Sequence, residues 1–159
     1  MAYEVEIRDV EAQPVLAVRG DRVASSEIAL FMAESYRKIG RYAAAHGLAP
    51  SGKPMARYHN TEGDWFDLEA LVPFTAPGAG EADVYASSLR AGRAATCEHV
   101  GPYEELGRAY AAIGEWLQRQ GLRSAGGSWE EYLSDPGDVP PAENRTRIYI
   151  PIAESVTTS

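Results

Sequence analysis

YRKIGRYAAAHGL, residues 36–48, returns seventy-four positions later as YAAIGEWLQRQGL, residues 110–122. Tyr36, Ile39, Gly40, Tyr42, Gly47 and Leu48 correspond to Tyr110, Ile113, Gly114, Trp116, Gly121 and Leu122, and the same step carries Tyr58 onto Tyr132. Both stretches repeat apolar residues at helical spacing and then reach a glycine, the residue that most readily takes the left-handed conformation that ends a helix. The chain therefore reads as two similar halves with a seam between them, and a seam is where a small protein can hold a ligand. One position breaks the correspondence: Ala56 in the first half becomes Glu130 in the second. That lone acid is the leading candidate for chemistry.

Working outward, the first half opens with Tyr3, Val5 and Ile7 alternating against Glu4, Glu6 and Arg8, the period of a half-buried strand. Val15 to Val18 is expected to pair with it across a short turn. Ser25 and Ser26 with Glu27 offer an N-cap, and a helix follows from Ile28 to Gly47. Met55 to His59 and Trp65 to Phe74 read as strands joined by the turn-forming run Asn60 to Asp64. After TAPGAGEA the order repeats: strands at Val84 to Leu89 and Arg93 to Val100, a helix introduced by Gly101-Pro102 and ended by Gly121, then strands at Ser128 to Leu133 and Arg145 to Ile152. The expected organisation is one domain over 1–159, with repeat one at 3–74, a linker at 75–82, repeat two at 83–152 and a frayed tail at 153–159. Each half is strand, strand, helix, strand, strand, an α+β arrangement.

Period-two alternation assigns the faces. Phe66, Leu68, Ala70, Val72 and Phe74 go under a helix, as do Ile148, Ile150 and Ile152. Trp129 and Leu133 are assigned to the same core side, with Glu131 as an awkward companion. The opposite side then holds Ala56, Tyr58, Trp65, Asp67, Glu69, Leu71, Glu130, Tyr132, Arg147 and Tyr149. Aromatic rings with scattered charges suit a ligand cleft.

Composition sets bounds. With 159 residues and 45% apolar content the chain can bury one good core. A net charge of −8 and the lack of a basic cluster argue against direct nucleic-acid binding. Cys97 is the single cysteine, which excludes an internal disulfide and suits a reducing compartment. The charged, alternating start is unlike a signal peptide, and no apolar run is long enough to span a membrane, so a cytoplasmic location without membrane contact is expected. His46, His59 and His99 never fall at metal-ligand spacing, and no axial-ligand motif for haem is visible, so neither metal nor cofactor is expected.

Four segments together carry a family resemblance: His99-Val100-Gly101-Pro102-Tyr103-Glu104-Glu105-Leu106, Trp116-Leu117 with Gly121 after it, Glu130-Glu131-Tyr132-Leu133-Ser134-Asp135-Pro136, and Thr146-Arg147-Ile148-Tyr149-Ile150-Pro151-Ile152. In order and spacing the chain resembles the GyrI-like small-molecule-binding family over roughly residues 3 to 152, a domain also met as the effector-binding part of AraC-type and MerR-type multidrug regulators. The resemblance implies a tandem βαββ repeat of the SH2-like duplicated kind, with pseudo-twofold symmetry, an antiparallel sheet, helices on one side and the ligand cleft on the other. It also implies a binder of lipophilic, often cationic aromatic compounds, with the acid of its Glu-x-Tyr motif falling on Glu130, the tyrosine on Tyr132 and the last-strand aromatic on Tyr149. With no DNA-binding segment visible on either side, the chain is expected to be a stand-alone binder, not a complete transcription factor.

Three functional readings follow. In the first, the domain captures a hydrophobic aromatic drug or toxin, cationic or electrophilic, through Tyr58, Trp65, Glu69, Leu71, Glu130, Tyr132, Arg147 and Tyr149, as in self-resistance. In the second, Glu130 is the general base of a hydrolase that opens the cyclopropane of a genotoxin, with Tyr132 or Tyr58 donating to the carbonyl that becomes phenolate-like. In the third, the acidic surface meets a protein partner, a topoisomerase or regulator. A cross-strand pair between Glu130 and Arg147 would weaken the first reading for cations, since a neutralised carboxylate is a poorer trap.

Overall fold

The computed structural model describes residues 3–135 and 137–153, and at 60–62 the backbone alone. In chain order the elements are β1 (Glu6–Val10), β2 (Gln13–Ala24), α1 (Ile28–Ala45), β3 (Met55–Glu62), β4 (Trp65–Pro73), β5 (Gly80–Glu81) and β6 (Val84–Leu89). They continue with β7 (Gly92–Val100), α2 (Leu106–Gln120), β8 (Arg123–Ser124), β9 (Trp129–Tyr132) and β10 (Arg145–Ala153). Both expected helix stops hold: Gly47 and Gly121 take φ values of 65° and 69°. The expected N-cap does not form. Ser25 to Glu27 is a 3-10 turn without a side-chain cap bond, and the Ser25 N–H donates instead to the Asp64 carbonyl. The expected linker contains β5, and Ala153 of the expected tail ends β10. The rest of that tail and Pro136 of the preceding loop lie outside the described residues, as do the side chains of Asn60, Thr61 and Glu62 in the expected turn.

The chain forms two compact units, one of Glu11–Ala91 and the other of the residues up to Val10 with those from Gly92 onward. In the first, the strands run β3-β4-β2-β6-β5 and every pairing is antiparallel. Leu16, Val18, Val72, Phe74 and Val84 pack against Ile39 and Ala43 of α1, the face that the alternation predicts for Val72 and Phe74. In the second unit the order is β1-β7-β10-β9, with β8 on β10. There Ala95, Cys97, Ile148, Ile150 and Ile152 pack against Ala109, Ile113 and Leu117 of α2. Burial pushes the Cys97 thiol up to about 11, which leaves it protonated and inert at neutral pH.

One pairing departs from the sequence reading. β1 and β2 are joined by Glu11 and Ala12, yet they do not form a hairpin. β1 pairs with β7, from Glu6↔Thr96 to Val10↔Gly92, and both edges of β2 are occupied, one by β4 and the other by β6. The apolar face of β1 explains its preference, because Val5 and Ile7 pack on the α2 core cluster. Deletion of residues 1–10 is therefore expected to raise amide exchange at Gly92–Thr96 by at least tenfold while α1, β3 and β4 keep their protection. Loss of protection in β2 instead would contradict this pairing.

Candidate functional site

Glu130 occupies β9 opposite Ile148, and directly opposed residues of an antiparallel pair share a face. Ile148 belongs to the cluster under α2, so Glu130 stands on the helix-bearing face of its unit. This corrects the expected placement of Glu130 and Tyr132 on the side away from the helices. Alternation separates Trp129 from Glu130 but does not say which of them faces the helix, and the register with β10 decides it. Trp129 does become buried, but by stacking on its cross-strand partner Tyr149 at 4.9 Å and 9° on the other face.

The acid is 4% exposed, and each of its oxygens accepts from a phenol. Tyr110 of α2 donates to Oε2 at 2.6 Å, and Tyr132 of β9 donates to Oε1 at 2.8 Å. Tyr110 precedes Ile113 and Leu117 on the buried stripe of α2, so helical spacing itself aims the hydroxyl at the sheet. A third ring, Tyr103, meets Tyr132 edge-on with centroids 5.8 Å apart. Burial, then the charges of Asp135 and Glu130, raise the Tyr103 phenol above its ordinary value. Tyr110 reads in the sequence only as a member of the apolar stripe. The signal that could have singled it out is its repeat counterpart Tyr36, whose hydroxyl donates to the Met55 carbonyl at 2.8 Å, one residue before Ala56.

Arg147 and Tyr149 stand on the opposite face from Glu130. The register sets Arg147 against Glu131, and its guanidinium reaches the Thr96 hydroxyl at 3.3 Å and Glu98 at 3.6 Å. Glu98 is also held by Arg145 at 2.9 Å, a bond that lowers its carboxyl below the usual value. The cross-strand pair of Glu130 with Arg147 that the sequence left open is thus ruled out by the register, and Arg147 joins a charge ladder on the other side of the sheet. Burial and the charge of Glu131 raise the Tyr149 phenol.

The remaining candidates lie in the first unit, again on two faces. Tyr58 and Ala56, expected on the side away from the helices, instead oppose Leu68 and Ala70 on the α1 side, and Tyr58 makes an edge contact with Phe66 at 6.0 Å. Trp65, Asp67, Glu69 and Leu71 alternate onto the other side. Leu71 is fully buried, Trp65 lies under the Arg22 guanidinium at 4.5 Å, and Asp67 accepts the Arg22 N–H at 2.8 Å. Glu69, 3% exposed, accepts from Arg57 at 2.9 Å, from His59 and from Tyr85. Burial raises its carboxyl, but hydrogen bonds from Arg57, Tyr85 and His59 outweigh that effect and bring it below the usual value. Arg57 continues to the Ser88 carbonyl and the Ser87 hydroxyl. Nothing in the sequence spacing of Arg57, His59 and Tyr85 marks their convergence on Glu69, the first two from β3 and the third from β6.

Chemically, the Glu130 constellation is an acid immobilised by two phenols among aromatic rings. Such a group can serve as counter-charge to a cation or as acceptor of a proton from water. The chain belongs to the family of GyrI-like small molecule binding domains, whose sequence pattern matches residues 3–153. Its fold is similar to that of the EcmrR C-terminal domain, at a TM-score of 0.85 and 23% identity over 98% of this chain and 100% of that one. It spans 59% of the EcmrR chain seen in an EcmrR–DNA complex. A hydrolase from Listeria innocua is similar at a TM-score of 0.69 and 16% identity, covering 96% of this chain and 93% of that one. SAV2435, solved bound to tetraphenylphosphonium, is similar at 0.62 and 14%, with 94% of each chain covered. No curated protein sequence matches the chain. Among the described residues no helix is long and apolar enough to cross a membrane.

Proposed function

We propose that this small-molecule-binding domain captures hydrophobic aromatic cations, with Glu130 as the counter-charge and Tyr103, Tyr110 and Tyr132 as the surrounding rings. The observation that carries the reading is the burial of Glu130 with a phenol donating to each of its oxygens, Tyr110 from α2 and Tyr132 from β9, while Arg147 reaches Glu98 on the other face. A phenol is a neutral donor, so the Tyr110 and Tyr132 bonds steady the carboxylate without themselves cancelling the charge that would face a delocalised cation. Ring faces add quadrupole attraction, and burial of apolar area supplies most of the affinity. The fold-level likeness to SAV2435 with its bound phosphonium supports the same class of ligand.

Calorimetric titration with tetraphenylphosphonium and with neutral triphenylphosphine oxide tests the reading. The cation is expected to bind at least tenfold more tightly than the oxide. Equal affinities, or no binding of the cation, would refute it.

A further inference from the structure

Two buried oxygens on the Glu130 side of β10 and of the turn before it play no part in the reading above. Thr146 is fully buried in β10 and stands opposite both Tyr132 and His99, which places its side chain on the same face as Tyr132 and Glu130. Asn144, 4% exposed and extended in backbone, precedes it by two residues and so points the same way. Thr146 Oγ1 and Asn144 Oδ1 have no hydrogen-bond partner among the described residues. The neighbouring donors are committed elsewhere. His99 bonds Tyr3 through Nδ1 and the Pro102 carbonyl through Nε2, and the Tyr132 hydroxyl donates to Glu130.

An unsatisfied buried oxygen is costly, and natural structures contain few. Valine has the shape of threonine and an equal preference for strands, so packing alone gives no reason for a hydroxyl at position 146. We infer that Thr146 and Asn144 form a second anchor of the Glu130 site, accepting a hydrogen bond from a ligand hydroxyl. Resting on the proposed capture of aromatic cations, this narrows the ligand class to aromatic cations that also bear a phenolic or alcoholic O–H. Glu130 selects the charge, and the two oxygens select the polar substituent.

The test uses tetraphenylphosphonium, which has no hydrogen-bonding atom, and the ortho, meta and para isomers of (hydroxyphenyl)triphenylphosphonium. Titrations on the full chain compare wild type, Thr146→Val and Thr146→Ser. At least one hydroxy isomer is expected to lose about five- to tenfold in affinity on Thr146→Val, with recovery in Thr146→Ser and a change of less than twofold for the parent cation. The melting temperature of Thr146→Val is expected to equal or exceed that of wild type, since the removed hydroxyl bonds nothing. Equal factors for parent and isomers would overturn the anchor, and so would a clear fall in melting temperature, which would reveal an internal partner. Failure of the parent cation to bind wild type would instead sink the Glu130 reading, and the anchor with it.

Discussion

Exchange of Glu130 for glutamine is expected to weaken tetraphenylphosphonium binding by about thirtyfold or more, the lower end of what removing one member of a buried charge pair costs. The substitution preserves shape. One amide oxygen can still accept from Tyr110 or Tyr132, while the NH2 group must face the other phenol's oxygen. The unit should therefore stay folded, and the loss should report the missing charge. Triphenylphosphine oxide provides the control, since its affinity should move less than threefold. The hydrolase reading makes the contrary prediction: a cyclopropane-bearing electrophile would be converted to its water adduct by wild type, and Glu130→Gln would still bind it without turnover. Mass detection of that adduct, or a Gln variant that holds the phosphonium as tightly as wild type, would displace capture in favour of catalysis.

Replacing Glu69 with leucine is expected to destabilise the unit of residues 11–91 by about 3–5 kcal/mol, the range for removing one partner of a buried ion pair. The reason lies with what is left behind. The Arg57 side chain is 14% exposed, and without Glu69 its guanidinium would retain only the Ser87 and Ser88 oxygens. The sign of the pH dependence follows from the lowered folded value of Glu69. A carboxyl depressed on folding contributes stability that is present above its unfolded value, about 4.3, and is lost as pH falls through the folded value. Urea unfolding at pH 7 and pH 3 should show a smaller acid-induced loss in the leucine variant than in wild type. A variant within 1 kcal/mol of wild type at pH 7 would mean that the Glu69 cluster contributes little.

The elements themselves were legible because each rests on a local signal. Gly47 and Gly121 end helices by their own backbone freedom, and the alternation in Trp65–Pro73 and Arg145–Ala153 marks strands. Partner choice is not local. The two residues between Val10 and Gln13 suggest a hairpin, but β2 satisfies both edges with β4 and β6, and Val5 and Ile7 find their apolar neighbours beside α2. The phase of a strand is equally hidden. Alternation in β9 separates Glu130 and Tyr132 from Trp129 and Glu131, yet only the match of Glu130 with Ile148 decides which pair lies beneath α2. Glu130 was visible as the acid that interrupts the repeat. Tyr110 and Thr146 were not, since one looks like an ordinary helix-stripe residue and the other like an ordinary strand former.

The partnership of β1 with β7 also constrains the order of events on the ribosome. β1 is made first, but the strand that receives it is synthesised only after all of Glu11–Ala91, so at typical elongation rates β1 waits on the order of ten seconds. During that interval the intervening unit can close on itself, while the half-apolar strand β1 remains unpaired. A bulky or sticky tag fused at the N-terminus would compete for that strand during the delay, whereas one at the C-terminus would be made after the choice is settled.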